Sequence, residues 1–141
     1  MSEIDQSRYY RAHTSPRRGV PMTKPSSITD GAEFDIPTID RELRALEAYK
    51  LDGHTARTLV REPTMRIVLI VMRAGAKIAE HHAQETASIH ALAGHIRLQL
   101  PQRAVDLQAG HVLVIPPQLR HDVEALDDAA FLITLARGDN S

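Results

Sequence analysis

The pattern of apolar and polar positions changes character twice along the chain. Residues 1–33 show no apolar periodicity, and Ser, Thr, Pro, Arg and Gly dominate them. Such a stretch cannot bury enough apolar surface to order itself, which predicts a disordered or loosely attached tail. Arg8, Arg11, Arg17 and Arg18 make its beginning mildly basic, and a solvated tail is expected rather than a binding arm. Over residues 38–50 the period becomes helical: Ile39, Leu43, Leu46 and Tyr49 recur at three- and four-residue steps and share one face. Pro37 and Thr38 suit the entry of this helix, Asp40 and Glu42 lie near its positive end, and Gly53 suits its stop. The helix is expected to pack on the outside of the domain behind it, or on a second subunit.

From about residue 58 the period shortens to two. Residues 66–72 are apolar on both faces, with Ile67, Leu69 and Val71 against Val68, Ile70 and Met72. A strand buried on both sides needs two covers. One would be a barrel interior, the other the 38–50 helix or a dimer partner. Residues 95–100 alternate, with Ile96, Leu98 and Leu100 opposite His95, Arg97 and Gln99, which predicts a half-exposed strand. Val105 and Leu107 alternate with Asp106 in the next. Residues 112–115 read as a buried strand ended by Pro116 and Pro117. Residues 121–126 and 131–136 supply the last two, joined at Asp127 and Asp128. Short strands at regular intervals with Gly or Pro turns indicate an all-β barrel or sandwich. The expected division is a tail over 1–33, a helical lead-in over 34–57, a barrel over 58–137 and a short C-terminal tail over 138–141.

Composition narrows the partners. At 141 residues the chain accommodates one domain with a proper core. A net charge of -1 gives no reason to expect nucleic acid or an anionic membrane as a partner. With no cysteine, disulfides, thiol catalysis and zinc–cysteine sites are excluded. The polar start lacks the apolar stretch of a secretory signal, and the apolar run at 67–72 is far too short to span a bilayer. A soluble cytoplasmic protein is the expectation. No Gly-x-Ser-x-Gly elbow, phosphate loop or dinucleotide fingerprint occurs.

The chemistry lies in the histidines. Gly75 precedes His81 by six positions, and Gly94 closes that segment; Gly110, Pro116 and His121 punctuate a second one. Gly permits a tight turn with positive φ before a strand, and Pro ends a strand by removing a donor. This spacing, running over residues 66–136, resembles the two motifs of the cupin superfamily, in particular its small single-domain, RmlC-like members. The resemblance implies a double-stranded β-helix, or jelly-roll barrel, here preceded by a short helix and a tail. It also implies a frequently dimeric assembly and a site inside the barrel mouth holding iron, manganese, nickel or zinc on three histidines and a carboxylate.

Half of that ligand set is replaced. His81 and His121 stand at ligand positions, but Ala83 takes the place of the second histidine and Ala87 that of the glutamate. Gln118 replaces the glycine and Ala125 the asparagine of the second motif. Strand alternation puts His81, Ala83, Ala87 and Ile89 inward and turns His82 and His90 outward. Glu85, two positions from the family's glutamate, reaches a metal only through a bulge. Two imidazoles without a carboxylate make a poor site. The expectation is therefore a barrel that binds a small molecule beside His81, Ala83, Ala87 and His121 without a complete metal centre or other cofactor. A binding role is expected over an enzyme. The alternative is a metal-dependent isomerase, dioxygenase or decarboxylase that holds a divalent transition metal on His81 and His121, with Glu85 or His82 as irregular third ligand. Histidine-based epimerase chemistry is disfavoured, because Tyr9, Tyr10 and Tyr49 all fall outside the barrel motifs. A filled barrel serving only as an interaction surface is a third class, and a homodimer is expected from the two-faced strands at 66–72 and 131–135.

Overall fold

The computed structural model describes residues 28–138. Expectations for residues 1–27 and 139–141, including the basic start, lie outside the described residues. Among the described residues two short helices, α1 (Ile36–Arg44) and α2 (Glu47–Asp52), precede nine strands. These are β1 (His54–Glu62), β2 (Met65–Met72), β3 (Lys77–His81), β4 (Thr86–Ala93), β5 (His95–Gln99), β6 (Ala104–Gln108), β7 (Val112–Ile115), β8 (His121–Ala125) and β9 (Ala129–Ala136). One sheet runs β1-β2-β9-β4-β7 and the other β3-β8-β5-β6. All pairings within them are antiparallel. The sheets enclose one core, led by Phe131, Met72, Leu98, Ile96 and Ile89. This is the expected all-β jelly roll.

The lead-in differs from a single helix over 38–50. Asp35 caps α1, accepting hydrogen bonds from the Thr38 amide and hydroxyl at 3.2 and 2.8 Å. The chain then breaks: Ala45 caps α1 and Leu46 is extended before α2. Leu43 and Tyr49 explain the break. On one continuous helix, six residues apart, they would point roughly 120° away from each other, yet both are buried. Arg44 fixes the corner by donating to the Tyr49 hydroxyl at 2.8 Å and to the Ala129 carbonyl at 2.9 Å. Gly53 ends α2 with φ 80°, the stop expected of it. Strand structure starts at His54, earlier than the sequence pattern indicated.

Strand β2 is covered on both faces, as its composition required. Val68, Ile70 and Met72 enter the barrel core. Leu69 and Val71 join Leu43, Tyr49, Leu59 and Val60 in a second cluster under the helices. The helices lie mainly on β1 and β2, with Arg44 reaching the start of β9, and the outer face of β7 at the far end of this sheet stays open. For that reason β7 is not the buried strand expected over 112–115. It is the sheet edge, with Val112 53% and Val114 61% exposed, and only Ile115 is buried. The outer face of the smaller sheet is solvated instead: Lys77, Glu124, Arg97 and Asp106 pair in sequence across its four strands, alternating in charge.

Candidate functional site

Strands β3 and β8 meet at His81 and His121, which are direct cross-strand partners. Their rings lie 4.3 Å apart, inclined by 60°. Both side chains are buried, 5% and 3% exposed. His81 donates from Nδ1 to the Ala79 carbonyl at 2.8 Å, and His121 from Nδ1 to the Leu119 carbonyl at 3.0 Å. A carbonyl only accepts, so each Nδ1 carries a proton, and in the neutral form of either ring the acceptor is Nε2. Burial, followed by the neighbouring His81, pushes the His121 imidazole down to about 4; the bond to Leu119 works in the opposite direction. At neutral pH His121 is therefore an uncharged acceptor.

The pair borders a cavity of about 20 Å³, room for a single water molecule. The remaining lining is apolar: Ile70, Ile78, Ile89, Val123, Phe131 and Ile133. Ala83 and Ala87 are buried and packed into the interior cluster. His82 and His90 are half-buried, in keeping with strand alternation. The sequence reading found the two histidines but missed their apolar lining. Ile78 on β3 and Val123 on β8 were accessible to the same alternation argument.

The residues present do not fit a tightly held transition metal. At the two remaining ligand positions stand the methyl groups of Ala83 and Ala87. Glu85 is already engaged, its Oε2 lying 3.0 Å from Arg66 Nη2 and 3.5 Å from Arg137 Nη2, with the carboxylate side chain only 10% exposed. Among the described residues no group of three or more His, Cys, Asp or Glu is arranged to hold a metal ion. Nor is any helix among them long and apolar enough to cross a membrane.

Comparison with known proteins places this barrel. The model of the cupin domain matches residues 68–136. No curated protein matches the chain. Among solved structures, a conserved protein of unknown function from Streptococcus pyogenes is 20% identical; 67% of this chain and 88% of that one are covered, with a TM-score of 0.59. KdgF from Halomonas sp. is 19% identical over 62% of this chain and 83% of that one, with a TM-score of 0.56. Salicylate 1,2-dioxygenase from Pseudoaminobacter salicylatoxidans is 17% identical, with a TM-score of 0.66 over 73% of this chain but 34% of that one. At these identities the likeness is one of fold. Motif spacing, two-sheet topology and these likenesses agree, and the chain carries a cupin domain over residues 68–136.

Proposed function

We propose that the barrel binds a compact small molecule at the His81–His121 pair without a metal centre and without catalysing a metal-dependent reaction. The observation that carries this reading is the pair itself: two imidazoles buried among apolar side chains, one of them held uncharged at neutral pH. Polar groups buried this deeply cost stability that aliphatic side chains would not. The chemistry selects a ligand with a small apolar body and a hydrogen-bond donor for an Nε2 acceptor. Ala83 and Ala87 belong to the same interior cluster but are not among the residues that line the cavity.

Phenol and cyclohexanol, with benzene and cyclohexane as donor-free controls, serve as probes. The alcohols are expected to shift the His121 ring resonances in nuclear magnetic resonance spectra, and His121→Phe to abolish saturable binding. Equal effects from the donor-free controls, or none from the alcohols, would sink the reading. Metal analysis of protein purified without added metal is expected to return far less than one equivalent of iron, manganese, nickel or zinc. Near-stoichiometric metal would establish the alternative, a metal-dependent isomerase, dioxygenase or decarboxylase.

The partner proposed for the open sheet edge is a second copy of the chain. Around β7 the outer face carries Val112 and Val114 with Ser88, His90, Leu132 and Thr134, and no charged residue among them. An apolar edge strand without a charge or bulge to protect it is a template for another strand. Antiparallel pairing about a two-fold axis at Leu113 keeps outer faces together and sets Val112 opposite the partner's Val114, a closed self-complementary contact. Sedimentation equilibrium at micromolar concentration is expected to give a dimer for the native chain and a monomer for Val114→Arg. A monomeric native chain would end this proposal.

A further inference from the structure

Two loops leave the barrel directly from the histidine pair. Residues 82–85 follow His81, and residues 116–120 precede His121. They are joined to each other. The Gln118 amide donates to the Ala83 carbonyl at 2.8 Å, and Gln118 Nε2 donates to Gln84 Oε1 at 2.6 Å. Gln118 makes both contacts from a left-handed backbone, φ 73°, the one non-glycine residue so placed among the described residues. Side chains adopt that region only at a cost, and the motif position is one where the family has glycine.

The neighbouring residue looks inward. Leu119 is half-buried and packs against the interior cluster, whereas Pro116, Pro117, Gln118 and Arg120 are exposed. Its carbonyl is the acceptor that fixes the His121 ring. Arg120 lies 3.7 Å from Glu80, but both side chains are more than half exposed and that pair holds little. The second loop is thus fastened by one short latch to the first, and by one apolar side chain set against the core. The loops run from the two histidines that line the cavity, which measures about 20 Å³ and takes the rest of its lining from the strands.

We propose that residues 116–120 are a lid over the His81–His121 pocket, latched to residues 82–85 by Gln118 and Gln84 and plugged by Leu119. Lifting the lid withdraws Leu119 from the core and its carbonyl from His121 Nδ1 in the same movement. Opening therefore enlarges the pocket and releases the ring to turn toward what enters. The proposal rests on the pocket reading only for the identity of the entrant; whether the lid gates access is a separate matter.

Diethyl pyrocarbonate, which acylates uncharged imidazoles and is too large for the closed cavity, reports that access. The full chain is treated at pH 7 and each histidine is followed by peptide mass spectrometry, with exposed His111 as internal reference. His121 is expected to react far more slowly than His111 in the native chain. In Gln84→Ala it is expected to react about fivefold faster, the effect of one lost hydrogen bond on a local opening, with His111 unchanged. The chain has no cysteine of its own, so a Gln84→Cys, Gln118→Cys variant can be bridged with a short dihaloalkane, each thiolate displacing one halide. The bridged form is expected to react at the native rate or below it, and the form with each thiol capped separately at the faster rate.

An unchanged His121 rate in Gln84→Ala overturns the lid, as does a native His121 as reactive as His111. Amide exchange across β2 and β9 separates local opening from general loosening: acceleration there to the same degree as at His121 also overturns it. A chain that gates His121 yet binds neither phenol nor cyclohexanol keeps the lid and loses the binding reading. A chain that binds them with His121 always accessible does the reverse.

Discussion

Replacing Gly94 with alanine is expected to lower stability by roughly 3 kcal/mol or more, among the largest effects of any single methyl group in this chain. Gly94 links β4 to β5 with φ 76°. A Cβ there would lie 2.1 Å from the Asp128 carbonyl oxygen and 2.9 Å from Ala129 Cα. Both obstacles are backbone and cannot swing aside as a side chain would. The obstructed segment is also tied down, because the Asp128 carboxylate accepts from the Ala74 amide at 2.8 Å. Gly75 is the matched control, with φ 89° and nothing near its missing Cβ. Gly75→Ala is expected to cost only the left-handed conformation, about 1–2 kcal/mol. Urea unfolding of the two variants decides the matter: equal losses would mean that close approach to the Asp128 turn contributes nothing.

The second large effect is a loss of stability in acid traceable to His121. Burial and the neighbouring His81 push its folded pKa down to about 4, below the ordinary histidine value of 6.5. Between those values the unfolded chain binds the proton and the folded chain does not, so stability falls as pH drops through the window. It is fully present above pH 6.5 and levels off below about 4. The span of about 2.5 units corresponds to about 3 kcal/mol. Carboxylates also titrate in this range, but they are common to the native chain and to a His121→Phe variant, so the difference between the two isolates the histidine. Unfolding free energies measured from pH 7.5 to 4 are expected to fall more steeply for the native chain. Parallel curves would show that His121 is not held uncharged by its surroundings.

These two residues illustrate what could and could not be read in advance. Gly94 was legible as a motif glycine at a turn between two strands; its φ of 76° was not. The reason it tolerates no methyl group, the Asp128 carbonyl across the barrel end, comes from a residue 34 positions away. His81 and His121 were legible as a pair through motif spacing, and alternation separated them from His82 and His90. The bonds that fix their tautomers come from the local backbone at Ala79 and Leu119, which no side-chain pattern encodes.

Other differences have the same origin. Residues 112–115 are as apolar as a buried strand, yet their position at the sheet edge leaves two valines in solvent. Residues 38–50 have one apolar face, but packing Leu43 and Tyr49 on the same sheet breaks the helix between them. Glu85 carried the right chemical group for a metal. Arg66 on β2 and Arg137 beyond β9 were brought to it only by the fold.

The sequence by itself determined the strand alternation, the glycine and proline punctuation, the cupin-like motif spacing, and the loss of two of the four ligand positions of that motif, because each depends on residue type at short spacing. The tertiary structure alone decided which strand became an edge, which carboxylate was occupied, and how little room remains beside the two histidines. Those outcomes depend on distances between segments far apart in the chain, and local periodicity carries no information about them.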